Sequence, residues 1–201
     1  MRLLMAAGSF LVAMMFVPLM VQDGVAQEDA PAYVGSDACK KCHFKEYRYW
    51  KKTGKFDAVE SLKPTTEADD AALFAKKTAA KLDPAKDYST DTTCLECHTT
   101  GHGKPGGFPA DGKGELAEKM AQAGCESCHG PGSKYVEHKT KGLEADKDAK
   151  FTFEGMSAMG LVAPDSANCL TCHNEKNPAN PAEAFDYDKA KELVHSKKKK
   201  K

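Results

Sequence analysis

The chain's eight cysteines fall in four pairs of identical spacing, and each pair runs directly into a histidine. The four runs are Cys39-Lys-Lys-Cys42-His43, Cys94-Leu-Glu-Cys97-His98, Cys125-Glu-Ser-Cys128-His129 and Cys169-Leu-Thr-Cys172-His173. No cysteine is left over. On about one helical turn, thiols three residues apart can each add to a haem vinyl group, while the next residue turns its imidazole onto the iron. Each run would thus be an attachment site and a proximal iron ligand together. Two other chemistries use the same side chains: paired Cys-x-x-Cys motifs can close a tetrahedral zinc site, and exported cysteines often form disulfides. Neither requires a histidine at one fixed offset. Histidine fills 7 of 201 positions, so four such placements by chance would arise on the order of once in a million. The expected cofactor is four haem c.

Thiols must meet haem outside the cytoplasm, and the N-terminus agrees. Met1-Arg2 precedes a nearly continuous apolar run from Leu3 to Val21, and Gly24 and Ala26 place small residues before a cut after Ala26. Residues 1–26 are expected to be a signal peptide. The run is also long enough to span a bilayer as an uncleaved anchor, but Pro18 and the cleavage pattern favour removal. No later stretch approaches spanning length, so the mature chain is expected to be periplasmic, with membrane association left open. Residues 27–196 would form one haem domain, and Lys197 to Lys201 a charged tail. That tail is either a solubilising end or a device that steers the chain toward an acidic partner or membrane surface. Lys plus Arg and Asp plus Glu both number 29, which argues against nucleic acid as a partner.

These side chains must be carried by a thin scaffold. Trp50 is the only tryptophan, and cutting after Ala26 leaves about 175 residues for four haems. The fold class expected is mainly α, a multihaem cytochrome c with short helices and long loops wrapped around four closely packed haems. Helices are expected at Phe44 to Lys52, Glu67 to Leu82, Gly114 to Ala123, Ser166 to His173 and Asp188 to His195. Pro84 and Gly124 follow two of these ends, and Asp165 or Ser166 can cap a start. Gly101 to Gly114 reads as a loop. No run alternates as a strand.

Three strings between the motifs are more specific than the motifs themselves. Glu60-Ser61-Leu62-Lys63-Pro64, Lys81-Leu82-Asp83-Pro84-Ala85-Lys86-Asp87-Tyr88 and Gly124 to Gly132 resemble the tetrahaem cytochrome c-554 family, the electron acceptors of hydroxylamine oxidoreductase in ammonia oxidisers. The resemblance runs from about Val34 to His195 and is looser after Lys139. It implies a mainly helical fold, haems in closely stacked pairs, three of them bis-histidine, and a five-coordinate second haem on His98.

The resemblance also implies distal ligands. His138, nine residues after His129, matches the residue that caps the first haem, and His195 the one that caps the third. The family caps the fourth haem with a histidine twelve residues after the first proximal one, where this chain has Lys55. A neutral lysine amine can ligate iron, the site can stay open, or another side chain can substitute. His102, four residues after His98, either lines the second haem's pocket, caps another haem or sits in a mobile Gly101-His102-Gly103 loop.

Three functions fit. A periplasmic electron carrier needs only the haem array, with a multihaem oxidoreductase as donor and a cytochrome or quinone-linked acceptor. An enzyme acting on nitric oxide or hydroxylamine needs an open iron at the second haem, with His102 as proton donor. A homo-oligomeric cytochrome filament needs a neighbour's histidine to complete a haem. Carriage is favoured, since no other substrate chemistry is evident.

Overall fold

The computed structural model describes residues 30–175, 177–178 and 185–195. The signal segment and the lysine tail lie outside them. Ten α-helices and one 3-10 turn form among the described residues, with no strand. The mainly helical class is therefore as expected.

The attachment motifs themselves make four of the helices. α1 (Ser36–Lys40) carries Cys39, and the chain turns on so that His43 N–H donates to the Cys39 carbonyl at 2.9 Å. The second and third motifs lie wholly within α4 (Thr92–His98) and α6 (Cys125–His129). α9 (Ser166–Leu170) carries Cys169, with His173 N–H again reaching the carbonyl of the first cysteine at 2.9 Å. The helical turn required by thiol spacing is thus present at all four sites.

Capping fixes where these short helices begin. Asp91 accepts from Thr93 N–H ahead of α4, and Asp165 and Asn168 cap one another's backbone reciprocally ahead of α9. An Asp165→Ala variant is expected to lose about 1 kcal/mol, read as a lower guanidinium midpoint; an unchanged midpoint would show the cap to be idle.

The connecting helices are α2 (Phe44–Trp50), α3 (Ala71–Ala79), α5 (Glu115–Met120), α7 (Ser133–Ala145), α8 (Phe153–Ser157) and α10 (Tyr187–Val194). The 3-10 turn is Glu60–Leu62. Expected boundaries were too generous where side chains compete for the backbone. The helix expected from Glu67 starts at Ala71 because Thr66 and Asp69 close a separate turn, and Asp70 accepts from Leu73 N–H. It ends at Ala79, and Lys81 turns to φ 58°. The helix expected through Ala123 stops at Met120, and Ala123 N–H donates instead to the Lys55 carbonyl at 3.0 Å.

α7, the longest helix among the described residues, was not expected. Its sequence, Ser-Lys-Tyr-Val-Glu-His-Lys-Thr-Lys-Gly-Leu-Glu-Ala, has no apolar stripe at helical spacing, and Tyr135 is its one buried residue. α8 also lacked a signal, being five residues long and capped by Thr152.

One apolar cluster packs Leu62, Tyr88, Leu95, Phe108, Ala117 and Met120, with Tyr33, Val59, Leu82 and Cys94 against it. Leu95 and Cys94 belong to α4, so this cluster seats the second motif. Tyr47 and Trp50 of α2 make a smaller contact at 5.5 Å between ring centroids, and Trp50 Nε1 donates to the Ala123 carbonyl at 3.0 Å. No described helix is long and apolar enough to cross a membrane.

Candidate haem-binding sites

The four motifs are far apart in sequence, yet their thiols meet in twos. Cys39 of the first motif and Cys125 of the third share a hydrogen bond, which pushes the Cys39 thiol well up and pulls Cys125 down. α1 and α6 pack directly against each other, and Ser36 Oγ accepts from Cys125 N–H at 3.1 Å. Cys97 of the second motif is pushed up to about 12, by burial first and then by Cys172 of the fourth. Burial pushes Cys128 up as well, with Cys169 and Cys172 acting in the same direction. The motifs therefore associate first with third and second with fourth, and Cys128 links the two pairs. All eight cysteines are unjoined, and no cluster of three or more His, Cys, Asp or Glu converges to hold a lone metal ion among the described residues.

Histidine orientation tests whether these residues suit haem. His98 Nδ1 lies 2.6 Å from the Ala58 carbonyl, and His129 Nδ1 lies 3.0 Å from the Val162 carbonyl. A carbonyl only accepts, so Nδ1 carries the proton in both rings and Nε2 is left with a free lone pair for iron. Apolar side chains beside the motifs also stand open, with Phe44 next to His43 and Leu170 next to Cys169. The donor set, ring tautomer and apolar border all fit haem c.

The first motif differs in detail. His43 Nε2 is 2.7 Å from the Tyr135 hydroxyl, and the two rings lie nearly parallel at 6.3 Å. α7 thus covers a cleft lined by Cys39, Cys42, His43, Tyr135 and Lys139. His138 lies on this same helix, but its ring packs edge-on against Phe151 at 5.8 Å rather than facing His43. His195 is brought to His129, with their rings 6.1 Å apart and 18° from parallel. His173 stacks on Phe185 at 4.5 Å.

Lys55 is half-buried, and no carboxylate pairs with its amine among the described residues. Its charge acts on the third and fourth motifs together. Burial and then Lys55 hold His173 below the usual imidazole range, and Lys55 opposes the rise of Cys128. His102 stacks on Phe108 at 5.9 Å, and its Nε2 is buried with no hydrogen-bond partner.

Sequence reasoning missed Tyr135, Glu126 and the Ala58 and Val162 carbonyls. A tyrosine in a polar helix, a glutamate inside a motif and two backbone oxygens carry no signal of their own.

The family model described as Cytochrome c554 and c-prime matches residues 38–130, which hold the first three motifs. Cytochrome c-554 of Nitrosomonas europaea is 35% identical over 147 residues, or 72% of this chain. The solved reduced state of cytochrome c554 from Nitrosomonas europaea superposes with a TM-score of 0.59 at 35% identity, again over 72% of this chain. The chain spans 58% of the length of the first relative and 66% of the second.

Proposed function

This chain belongs to the cytochrome c554 family, and from that membership we propose that it carries electrons through four covalently bound haems c in the periplasm. The observations that carry this reading are the packing of the first motif's helix against the third's and the backbone-held rings of His98 and His129. Bound haem supplies reversible one-electron chemistry at an iron held by imidazole. The polypeptide's part is to hold the motifs in two linked pairs and to orient Nε2 of His98 and His129 through their backbone partners. The remaining thioether and proximal assignments, at Cys42, Cys94, Cys128, Cys169, His43 and His173, follow from the same motif chemistry. The donor is a hydroxylamine-oxidoreductase-like multihaem enzyme, a reading supported by the resemblance, and the acceptor is a cytochrome or quinone-linked protein.

Coulometric reduction of the intact protein tests this. It is expected to take up four electrons per chain and return them to a soluble cytochrome, without turnover of hydroxylamine or nitric oxide. Uptake of fewer electrons, or sustained turnover of either compound, would overturn it.

His138 and His195 are proposed to cap the first and third haems. The support for His195 is its approach to His129, and for His138 its position on the helix over the first motif. Lys55 is the side chain offered to the fourth haem, supported by its partial burial and its action on His173. A Lys55→Ala variant is expected to convert one low-spin ferric signal into a high-spin signal by electron paramagnetic resonance. An unchanged spectrum would remove Lys55 from coordination.

A second reading has one observation in its favour. The buried Nε2 of His102 has no hydrogen-bond partner and the residue follows His98 by four, which supports a proton donor beside an open second haem. Carbon monoxide binding at a single iron, together with nitric oxide or hydroxylamine turnover that a His102→Ala variant loses, would favour an enzyme over a carrier.

A further inference from the structure

Glu126 lies between the two cysteines of the third motif, yet it points away from solvent and is only 3% exposed. Its carboxylate accepts from three backbone N–H groups. Val34 N–H reaches both oxygens at 3.0 and 3.1 Å, Gly35 N–H reaches Oε2 at 2.7 Å, and Gly132 N–H reaches Oε1 at 2.7 Å. A carboxyl that receives four N–H contacts and donates none is the ionised form. No lysine or arginine pairs with it among the described residues. Burying such a charge costs several kcal/mol, which charge-assisted bonds to three amides offset.

Two consequences follow from where those amides lie. Gly35 is the residue that precedes α1, which bears Cys39, so Glu126 ties the first motif's helix to the third motif's helix. The Glu126 charge also acts upward on the thiols of Cys39 and Cys125, one in each of the two motifs it ties. The chain thus holds one buried anion where the first and third attachment helices meet.

We propose that Glu126 is the electrostatic positioning residue of the array: it clamps the first and third haem sites together and lowers the reduction potential of that pair relative to what it would be without the charge. A fixed negative charge favours the more positive ferric state. This rests on the haem reading above. A unit charge acting over roughly 10 Å through an effective dielectric of about 20 changes a one-electron equilibrium about tenfold.

The test is a potentiometric titration of Glu126→Gln and Glu126→Asp holoprotein, each first weighed to establish its haem count. A parent chain that carries no haem would fail the functional reading rather than this one. In Glu126→Gln the ferrous-to-ferric ratio of two haems is expected to rise about tenfold at fixed potential, a positive shift of about 59 mV, while the other two move less. Glu126→Asp, which keeps the charge, is expected to hold the native potentials even if it unfolds more easily. Failure of Glu126→Gln alone to accumulate as holoprotein, with native potentials in Glu126→Asp, would also support the clamp. Unshifted potentials in Glu126→Gln, an equal shift at all four haems, a tenfold shift in Glu126→Asp, or failure of both variants to bind haem would overturn it.

Discussion

A chain made without its haems is expected to lose its helical far-ultraviolet signal and to show no cooperative unfolding transition. The polypeptide alone offers little to hold it. α1, α6, α8 and α9 are five residues long, and α5 is six. Isolated helices below about 12 residues are marginal in water, so these must be held by contacts outside themselves. The buried apolar cluster gathers six residues around the second motif, and among the described residues no comparable cluster surrounds the first, third or fourth. Phe44, Phe153 and Leu170 remain about half exposed beside or between motifs. Covalent porphyrin would supply the missing apolar interior and close the loops between motifs. Circular dichroism of the chain produced in a host lacking haem attachment checks this, and a folded apoprotein with a sharp thermal transition would contradict it.

Met120→Ala is expected to cost about 2–5 kcal/mol. Met120 is 0% exposed and sits in the cluster that seats α4. Its carbonyl also accepts from Thr100 N–H at 3.0 Å, joining α5 to the segment that follows His98. Truncation would leave a cavity that this small cluster cannot refill by rearrangement. The loss is read as a lower guanidinium midpoint in the holoprotein, with the spectrum of the second haem disturbed more than the others. A midpoint within error of the parent would mean the cluster is not what supports the second motif.

The two positions illustrate what the sequence does and does not make legible. Motif chemistry is local: thiol spacing, the helical turn and the following histidine are contained in five residues, so the turn at each of the four motifs was readable. Capping is equally local, and Asp165 was readable at α9. Met120 was not singled out, because its burial depends on segments from Leu62 to Ala117 meeting around it. α7 stayed hidden since its single buried residue, Tyr135, leaves no periodic stripe, and the helix packs over a motif rather than on a protein core. Glu126 was unreadable for the same reason: its partners Val34 and Gly35 lie more than ninety residues away in sequence. Lys55 was visible only as a departure from the family's pattern. The structure adds its action on His173 and Cys128.

The whole account depends on porphyrin being bonded to these eight sulfurs. Intact-mass spectrometry of the chain from a host competent for haem attachment is predicted to give the polypeptide mass plus four haems, and to lose one haem in a Cys125→Ala, Cys128→Ala double variant. A mass equal to the bare polypeptide, or fewer than four haems on the parent chain, would contradict it.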